Sequence, residues 1–245
     1  MDGDVLRPTV LVIGAGDATG GAIARRFARE GYAVCVTRRE LKRLEGLVQQ
    51  IQADGGTAHP FGSDARDEQQ VIDLFATIER DIGPLAAVIF NIGANVRFGI
   101  RETTARVYRK VWEMACFAGF LAGREAATHM VPRGKGSILF TGATASLRGS
   151  AGFSAFAGAK HGLRALAQSM ARELGPSGIH VGHLIIDGAI DTEFIRENFP
   201  ERYALKDQDG ILEPAQIAEA FWQMHAQHRT AWTFEQDLRP WMETW

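Results

Sequence analysis

Apolar runs and helical stretches alternate along the whole chain, the arrangement that parallel strands joined by crossover helices require. The runs predict strands at 9–13, 33–37, 57–61, 86–91, 136–143, 180–186 and 232–238, with helices over 21–30, 40–53, 68–82, 104–130, 153–174 and 214–227. In the third helix Val71, Leu74, Phe75 and Ile78 recur at helical spacing and mark one buried face, opposite a face of Asp, Glu and Arg. Gly31 and Gly175 stand just after predicted helices, where a left-handed residue closes a last turn, and Pro214 stands where a helix begins. Right-handed crossovers turn this order into a single α/β domain over 1–245, a doubly wound parallel sheet of about seven strands. Ligands of such sheets bind outside the carboxyl ends of the strands.

Of the 245 residues 46% are hydrophobic and 23% charged, enough to bury a full core. The formal charge of -2 gives no electrostatic reason to expect nucleic acid or an anionic membrane as partner, which leaves a small molecule. Cys35 and Cys116 both fall in apolar surroundings, as free thiols of a reducing compartment do. The start MDGDVLRPTVLVIG carries no basic leader or cleavage site, and no run reaches the ~18 apolar residues of a membrane span, so the cytoplasm is the expected location. His225 and His228 lie three apart on a predicted helix; with no third ligand the pair reads as a solvated face, and no metal is expected.

The first strand runs into Gly14-Ala-Gly-Asp-Ala-Thr-Gly20-Gly21 and then a helix. A pyrophosphate can meet a helix N-terminus there, and glycine lets the backbone approach it closely. The spacing is not GxGxxG, so a glycine turn serving packing alone stays open. The second strand ends in Thr37-Arg38-Arg39, two guanidinium groups about where an NAD enzyme keeps an acid for the ribose 2′-hydroxyl. Arginine there suits a 2′-phosphate, which makes NADP(H) the preferred cofactor. Solvated loop arginines are the alternative, Asp17 argues mildly the other way, and NAD(H) is not excluded.

These residues resemble the short-chain dehydrogenases/reductases, and the resemblance covers nearly the whole chain. Gly14, Ala18 and Gly20 match the family's TG-x-x-x-A/G-x-G motif, with Ile13 for its threonine. The resemblance implies a Rossmann-like fold, a phosphate loop drawn from Gly14, Gly16, Asp17, Ala18, Thr19 and Gly20, and an adenine contact at Asp64 with its neighbour Ala65. Apart from the family, Asp64 reads equally as the start of the helix near Asp67. Phe90-Asn91-Ile92-Gly93 matches the family's NNAG at Asn91 and Gly93 only, with Asn91 implied beside the adenosine ribose. Asp187-Gly188-Ala189-Ile190-Asp191-Thr192 resembles PG-x-x-x-T, which implies a nicotinamide held near Gly188 by the Ile190 backbone and the Thr192 hydroxyl. Asp187 replaces the proline.

The family's YxxxK matches Phe156-Ala-Gly-Ala-Lys160, a spacing that puts both side chains on one helix face. The resemblance implies a phenol that moves the proton, helped by a lysine that also binds the nicotinamide ribose. Phe156 has no proton to give. The serine thirteen residues earlier is Ala143, and the asparagine of the preceding helix is Cys116. Lys160 alone matches, an exposed helix lysine being its plain alternative. Positioned acid–base catalysis is worth roughly 10²–10⁴ in rate and an oxyanion donor roughly 10²–10³. The chain therefore reads as an NADP(H)-dependent oxidoreductase whose proton comes from a non-standard donor: Thr144, Ser146, Ser154, Cys116, Lys160 or water. The alternative is a cofactor-binding pseudoenzyme, a sensor or partner subunit without turnover. Hydration or elimination fits less well, since no paired carboxylates or histidine-centred group appears. Phe90, Phe98, Phe120, Phe140, Phe153 and Phe156 point to an apolar cleft, and Trp232, Trp241 and Trp245 to a buried contact in a homodimer or homotetramer.

Overall fold

The computed structural model describes residues 7–244, so Trp245 and the first six residues lie outside it. Strands β1 (Thr9–Ile13), β2 (Ala33–Arg38), β3 (Thr57–Gly62), β4 (Leu85–Phe90), β5 (Gly136–Thr141), β6 (Ile179–Ile186) and β7 (Glu235–Leu238) form one sheet in the order β3-β2-β1-β4-β5-β6-β7. Every neighbouring pair is parallel. The helices are α1 (Thr19–Arg29), α2 (Glu45–Ala53), α3 (Glu68–Asp81), α4 (Ala105–Trp112), α5 (Ala118–Met130), α6 (Ser154–Leu174), α7 (Glu193–Asn198), α8 (Pro200–Tyr203) and α9 (Pro214–His225). This is the single-domain Rossmann-like α/β fold expected from the alternation.

Both faces of the sheet are covered, which is why its central strands read as unbroken apolar runs. Val10, Val12, Val34 and Val36 meet Phe27 of α1, Leu47 of α2 and Phe221 of α9 on one side. Leu11, Ile13 and Cys35 meet Phe75 of α3, Leu121 of α5 and Leu163 of α6 on the other. The edges are protected chemically: β3 carries Pro60, and β7 carries Glu235 and Asp237.

Several boundaries move for identifiable reasons. β5 stops at Thr141: Gly142 N–H makes a last bond to Leu184 O of β6, and Ala143 then opens a short turn over Thr144–Ser146. β7 begins at Glu235, since Gln227 holds the preceding turn through the N–H and the hydroxyl of Thr233. Gly31 is left-handed (φ 86 at Gly14 and 84 at Gly31), but Gly175 is right-handed at φ -55 and leads into a turn containing Pro176 that Gly178 closes at φ 80. The predicted helix over 104–130 is interrupted by a π-helical segment, Glu113–Phe117, which contains Cys116. Helices α7 and α8 are too short to show a period; Thr192 caps the first by accepting Ile195 N–H, and Pro200 opens the second. Pro214 opens α9 as expected. Among the described residues no helix is long and apolar enough to cross a membrane.

His228 is exposed, but His225 is not on a solvated face. Its Nε2 lies 2.8 Å from the Tyr32 hydroxyl and its Nδ1 2.6 Å from Ser137 Oγ, so the ring bridges α9 to β5 and to the residue just before β2. Burial pushes its pKa down from 6.5 to about 4, and burial does the same to His183, also to about 4, against the pull of Glu235. Both rings are held neutral in the fold. The unfolded chain then binds more protons between these values, so this stability is complete above pH 6.5 and is lost as the pH falls toward 4. Urea unfolding measured across that window should show a falling midpoint. His225→Gln should be less stable than wild type at neutral pH and show a shallower dependence.

Candidate active site

A cavity of about 1100 Å³ opens at the carboxyl ends of β1, β4, β5 and β6, where the strand order reverses. Its floor begins at the β1–α1 loop. Gly14 and Ala15 both donate to Thr37 O, at 3.2 and 3.1 Å, which folds the chain back over the end of β2. Gly14 holds φ +86, and a Cβ there would lie 2.7 Å from Asn91 O. Asn91 locks the loop from the other side: its Nδ2 donates to Gly14 O at 3.1 Å while its Oδ1 accepts Thr141 Oγ1–H at 3.0 Å. One side chain thus ties the ends of β1, β4 and β5.

The start of α1 is bare. Ala18 at its N-cap offers no side-chain acceptor and its first turn has no acid. The amides that open a helix lack intrahelical partners and favour an anion, and residues 16–20 line the cavity. At Gly16 an added Cβ would meet no atom within 4 Å, so the backbone presents open space to whatever lies above. A pyrophosphate fits this cradle in charge and in donor chemistry.

Arg38, Arg39, Asp64 and Ala65 stand beyond the cavity lining, at the adjoining ends of β2 and β3. Arg38 Nη1 lies 3.3 Å from Asp17 Oδ1, so the acid that argued against a phosphate is already paired. Arg39 is exposed. Asp64 accepts both Nε and Nη2 of Arg66, at 2.9 and 2.5 Å, and this pairing holds its carboxyl below the usual range. The cap of α3 is Asp67, which accepts Gln70 N–H.

Lys160 is no surface lysine. It is 2% exposed and donates to Thr141 O at 2.7 Å and Ile92 O at 3.2 Å. Burial lowers its pKa to about 8, partly offset by Cys116, so near neutrality the ammonium predominates. An ammonium has three donors, which leaves one for a ligand. Ala143, Phe156 and Lys160 line the cavity together, with Gly93, Gly188, Ile190 and Thr192. Cys116 packs behind them, 2.9 Å from where a Cβ on Gly162 would sit, and burial raises its thiol pKa despite Lys160. Ser146 is fully buried and accepts Ala143 N–H, which removes it from the exposed donors.

The aromatic lining differs from expectation. Phe153 and Phe156 face the cavity, joined by Phe194 and Tyr203. Phe90 and Phe140 belong to the core, and Phe98 and Phe120 are exposed away from it. Arg25, Asn95, Arg148 and Arg196 also line it, so the cleft is more polar than its phenylalanines imply. No periodicity announces these side chains. Among the described residues no cluster could hold a metal ion.

Comparison with known proteins decides the family. The profile of the short chain dehydrogenases matches residues 8–202. The chain belongs to the short-chain dehydrogenase family, a family of oxidoreductases. A short-chain dehydrogenase from Rhodopseudomonas palustris has the same fold at 50% identity and a TM-score of 0.83, covering 96% of this chain and 99% of its own. The cyclic-di-GMP-binding biofilm dispersal mediator protein of Escherichia coli (strain K12) is 33% identical over 86% of this chain and 85% of its length. A metagenomic short-chain oxidoreductase solved in complex with NADP shares the fold at 22% identity and a TM-score of 0.79, over 96% of this chain and 98% of its own.

The loop geometry makes two glycines separable. Gly14→Ala should cost about 1–3 kcal/mol, from a forbidden dihedral and the clash with Asn91. Gly16→Ala should stay within about 0.5 kcal/mol of wild type in urea unfolding yet weaken dinucleotide binding, since its methyl enters only the cradle.

Proposed function

We propose that this family member is an NADP(H)-dependent oxidoreductase acting on a small molecule, with an active site that lacks the family's phenol and serine at Phe156 and Ala143. One observation carries the reading: the bare start of α1 and the buried Lys160 ammonium open onto one cavity. Residues 14–20 would hold the pyrophosphate, Asn91 and Gly93 would back the adenosine ribose, and Asp64 with Ala65 would border the adenine. Arg38, steadied by Asp17, and Arg39 would meet a 2′-phosphate. Lys160 would donate its third proton to the nicotinamide ribose, and Gly188, Ile190 and Thr192 would frame the carboxamide. Bound there, the dinucleotide supplies or takes up hydride. Phe153, Phe156 and Phe194 keep the reacting end dry.

The whole chain works as one unit in this reading, in the cytoplasm. Its copies associate in a homo-oligomer. Trp232 stacks on His180 and Trp241 reaches Gln208 O, so these tryptophans make separate internal contacts. The face better suited to a second copy carries the exposed Trp112 of α4 and Phe120 of α5, stacked through the half-buried Phe117 of the π-helical segment between them. The pseudoenzyme reading keeps one specific support, a relative named for binding a cyclic dinucleotide.

Fluorescence titration with NADPH and NADH tests the cofactor assignment. NADPH should bind more tightly, Arg38→Asp should remove the preference, and Lys160→Ala should cost about 1–3 kcal/mol of affinity for either. Equal affinities unaltered by Arg38→Asp would contradict the assignment.

The double variant Phe156→Tyr with Ala143→Ser places a phenol beside Lys160 and a hydroxyl at the turn. It should gain reduction of simple ketones over wild type, by up to roughly 10²-fold, while binding NADPH about as well. NADPH oxidation at matched protein concentration reads the gain; a wild type that already equals the double variant has an effective donor of its own.

A further inference from the structure

Thr144 follows Ala143 on the turn after β5 and lines the cavity. Its hydroxyl donates to Asp187 Oδ1 at 2.5 Å, and Asp187 is 2% exposed. Arg148 Nη2, on the loop before α6, stands 3.5 Å from the same oxygen, and Arg239 Nη2, just after β7, stands 3.6 Å from Oδ2. Arg239 is shared with Asp237. Burying a carboxyl is costly even when cations flank it, so an acid at this strand end calls for a reason. The other hydroxyls are differently placed. Ser146 is committed to Ala143, Ser154 Oγ is buried outside the lining, Thr141 serves Asn91, and Thr192 caps α7. Among the described residues, Thr144 has the one cavity-lining hydroxyl bonded to a carboxylate.

We propose that Thr144 and Asp187 are the proton relay of this cleft, in place of the phenol that Phe156 cannot supply. The proposal rests on the oxidoreductase reading above. In alcohol oxidation the substrate O–H bond breaks and its proton passes to Thr144 Oγ1, while the proton of that hydroxyl passes to Asp187 Oδ1. The carbonyl forms as the carbon-bound hydrogen leaves with its electron pair, as hydride, for which the oxidised dinucleotide is the acceptor. Reduction reverses each transfer. Thr144 touches the reacting oxygen and is the catalytic residue; Asp187 acts through it and is a positioning residue, with Arg148 and Arg239 holding its carboxyl in place.

The test uses the full chain and secondary alcohol–ketone pairs, 1-phenylethanol with NADP+ and acetophenone with NADPH among them. Thr144→Val should lower kcat by roughly 10²–10⁴-fold, with KM and NADPH affinity within about twofold of wild type. Thr144→Ser should return kcat to within about tenfold. In the cofactor-free protein, the infrared carboxylate band that Asp187→Asn removes should shift in Thr144→Val and return in Thr144→Ser. An unshifted band, or a Thr144→Val enzyme as fast as wild type, overturns the relay. So does loss of kcat in Tyr203→Phe while Thr144→Val keeps the kcat of wild type, which would assign the proton to the Tyr203 hydroxyl on the cavity lining. A wild type that binds NADPH but turns over none of these pairs overturns the oxidoreductase reading, and the relay with it.

Discussion

An ammonium taken out of water costs several kcal/mol unless its protons find acceptors, and Lys160 finds them in the backbone. Thr141 O ends β5 and Ile92 O lies just past β4, so one side chain from α6 fastens the two central strand ends. Losing the lysine would leave both carbonyls buried without their donor. Keeping it fixes α6 against the sheet at the residue where the cavity floor must be rigid. The fold and the site share this constraint.

A second fastening completes the floor. Asn91 takes Thr141 Oγ1–H and gives Nδ2–H to Gly14 O, which carries the same strand ends across to the phosphate loop. Thr141 is therefore used twice, through its carbonyl by Lys160 and through its hydroxyl by Asn91. The phosphate loop and the Lys160 ammonium line one cavity and are tied together by bonds that pass through Thr141. A nicotinamide dinucleotide carries its pyrophosphate between the adenosine and the nicotinamide riboside, and a rigid spacing between a phosphate anchor and a ribose anchor favours binding it without reorganisation.

The parallel sheet was legible in the sequence because burial on both faces leaves unbroken apolar strands, and the α6 site because Phe156 and Lys160 share a helix face. What stayed hidden is whatever depends on partners distant in the chain. His225 sits where helical spacing implies solvent, and nothing local reveals that Tyr32 and Ser137 lie opposite. Phe90 and Phe140 could not be told from cavity residues, because strand-end phenylalanines serve core and cleft alike. Arg148 and Arg239 flank Asp187 from segments far apart in sequence, so no motif spans them. The π-helical segment around Cys116 has no sequence period of its own.

β6 shows how an edge of the sheet reaches the cleft. It is buried along its whole length yet carries His180 and His183. Each ring bonds the last strand or its approach: His180 Nε2 to Thr233 O, and His183 Nδ1 to Glu235, which Arg164 of α6 also grips twice. These bonds hold β7 in one register, and a slip by one residue would turn every side chain to the other face. That register ends with Asp187 N–H on Leu238 O. Arg239 is then delivered beside the Asp187 carboxyl, and Pro240 packs where a Cβ on Gly188 would collide. The segment after β7 is remote from the glycine loop in sequence, but the polar contacts of one buried strand bring it against Asp187 and Gly188, behind the cavity lining.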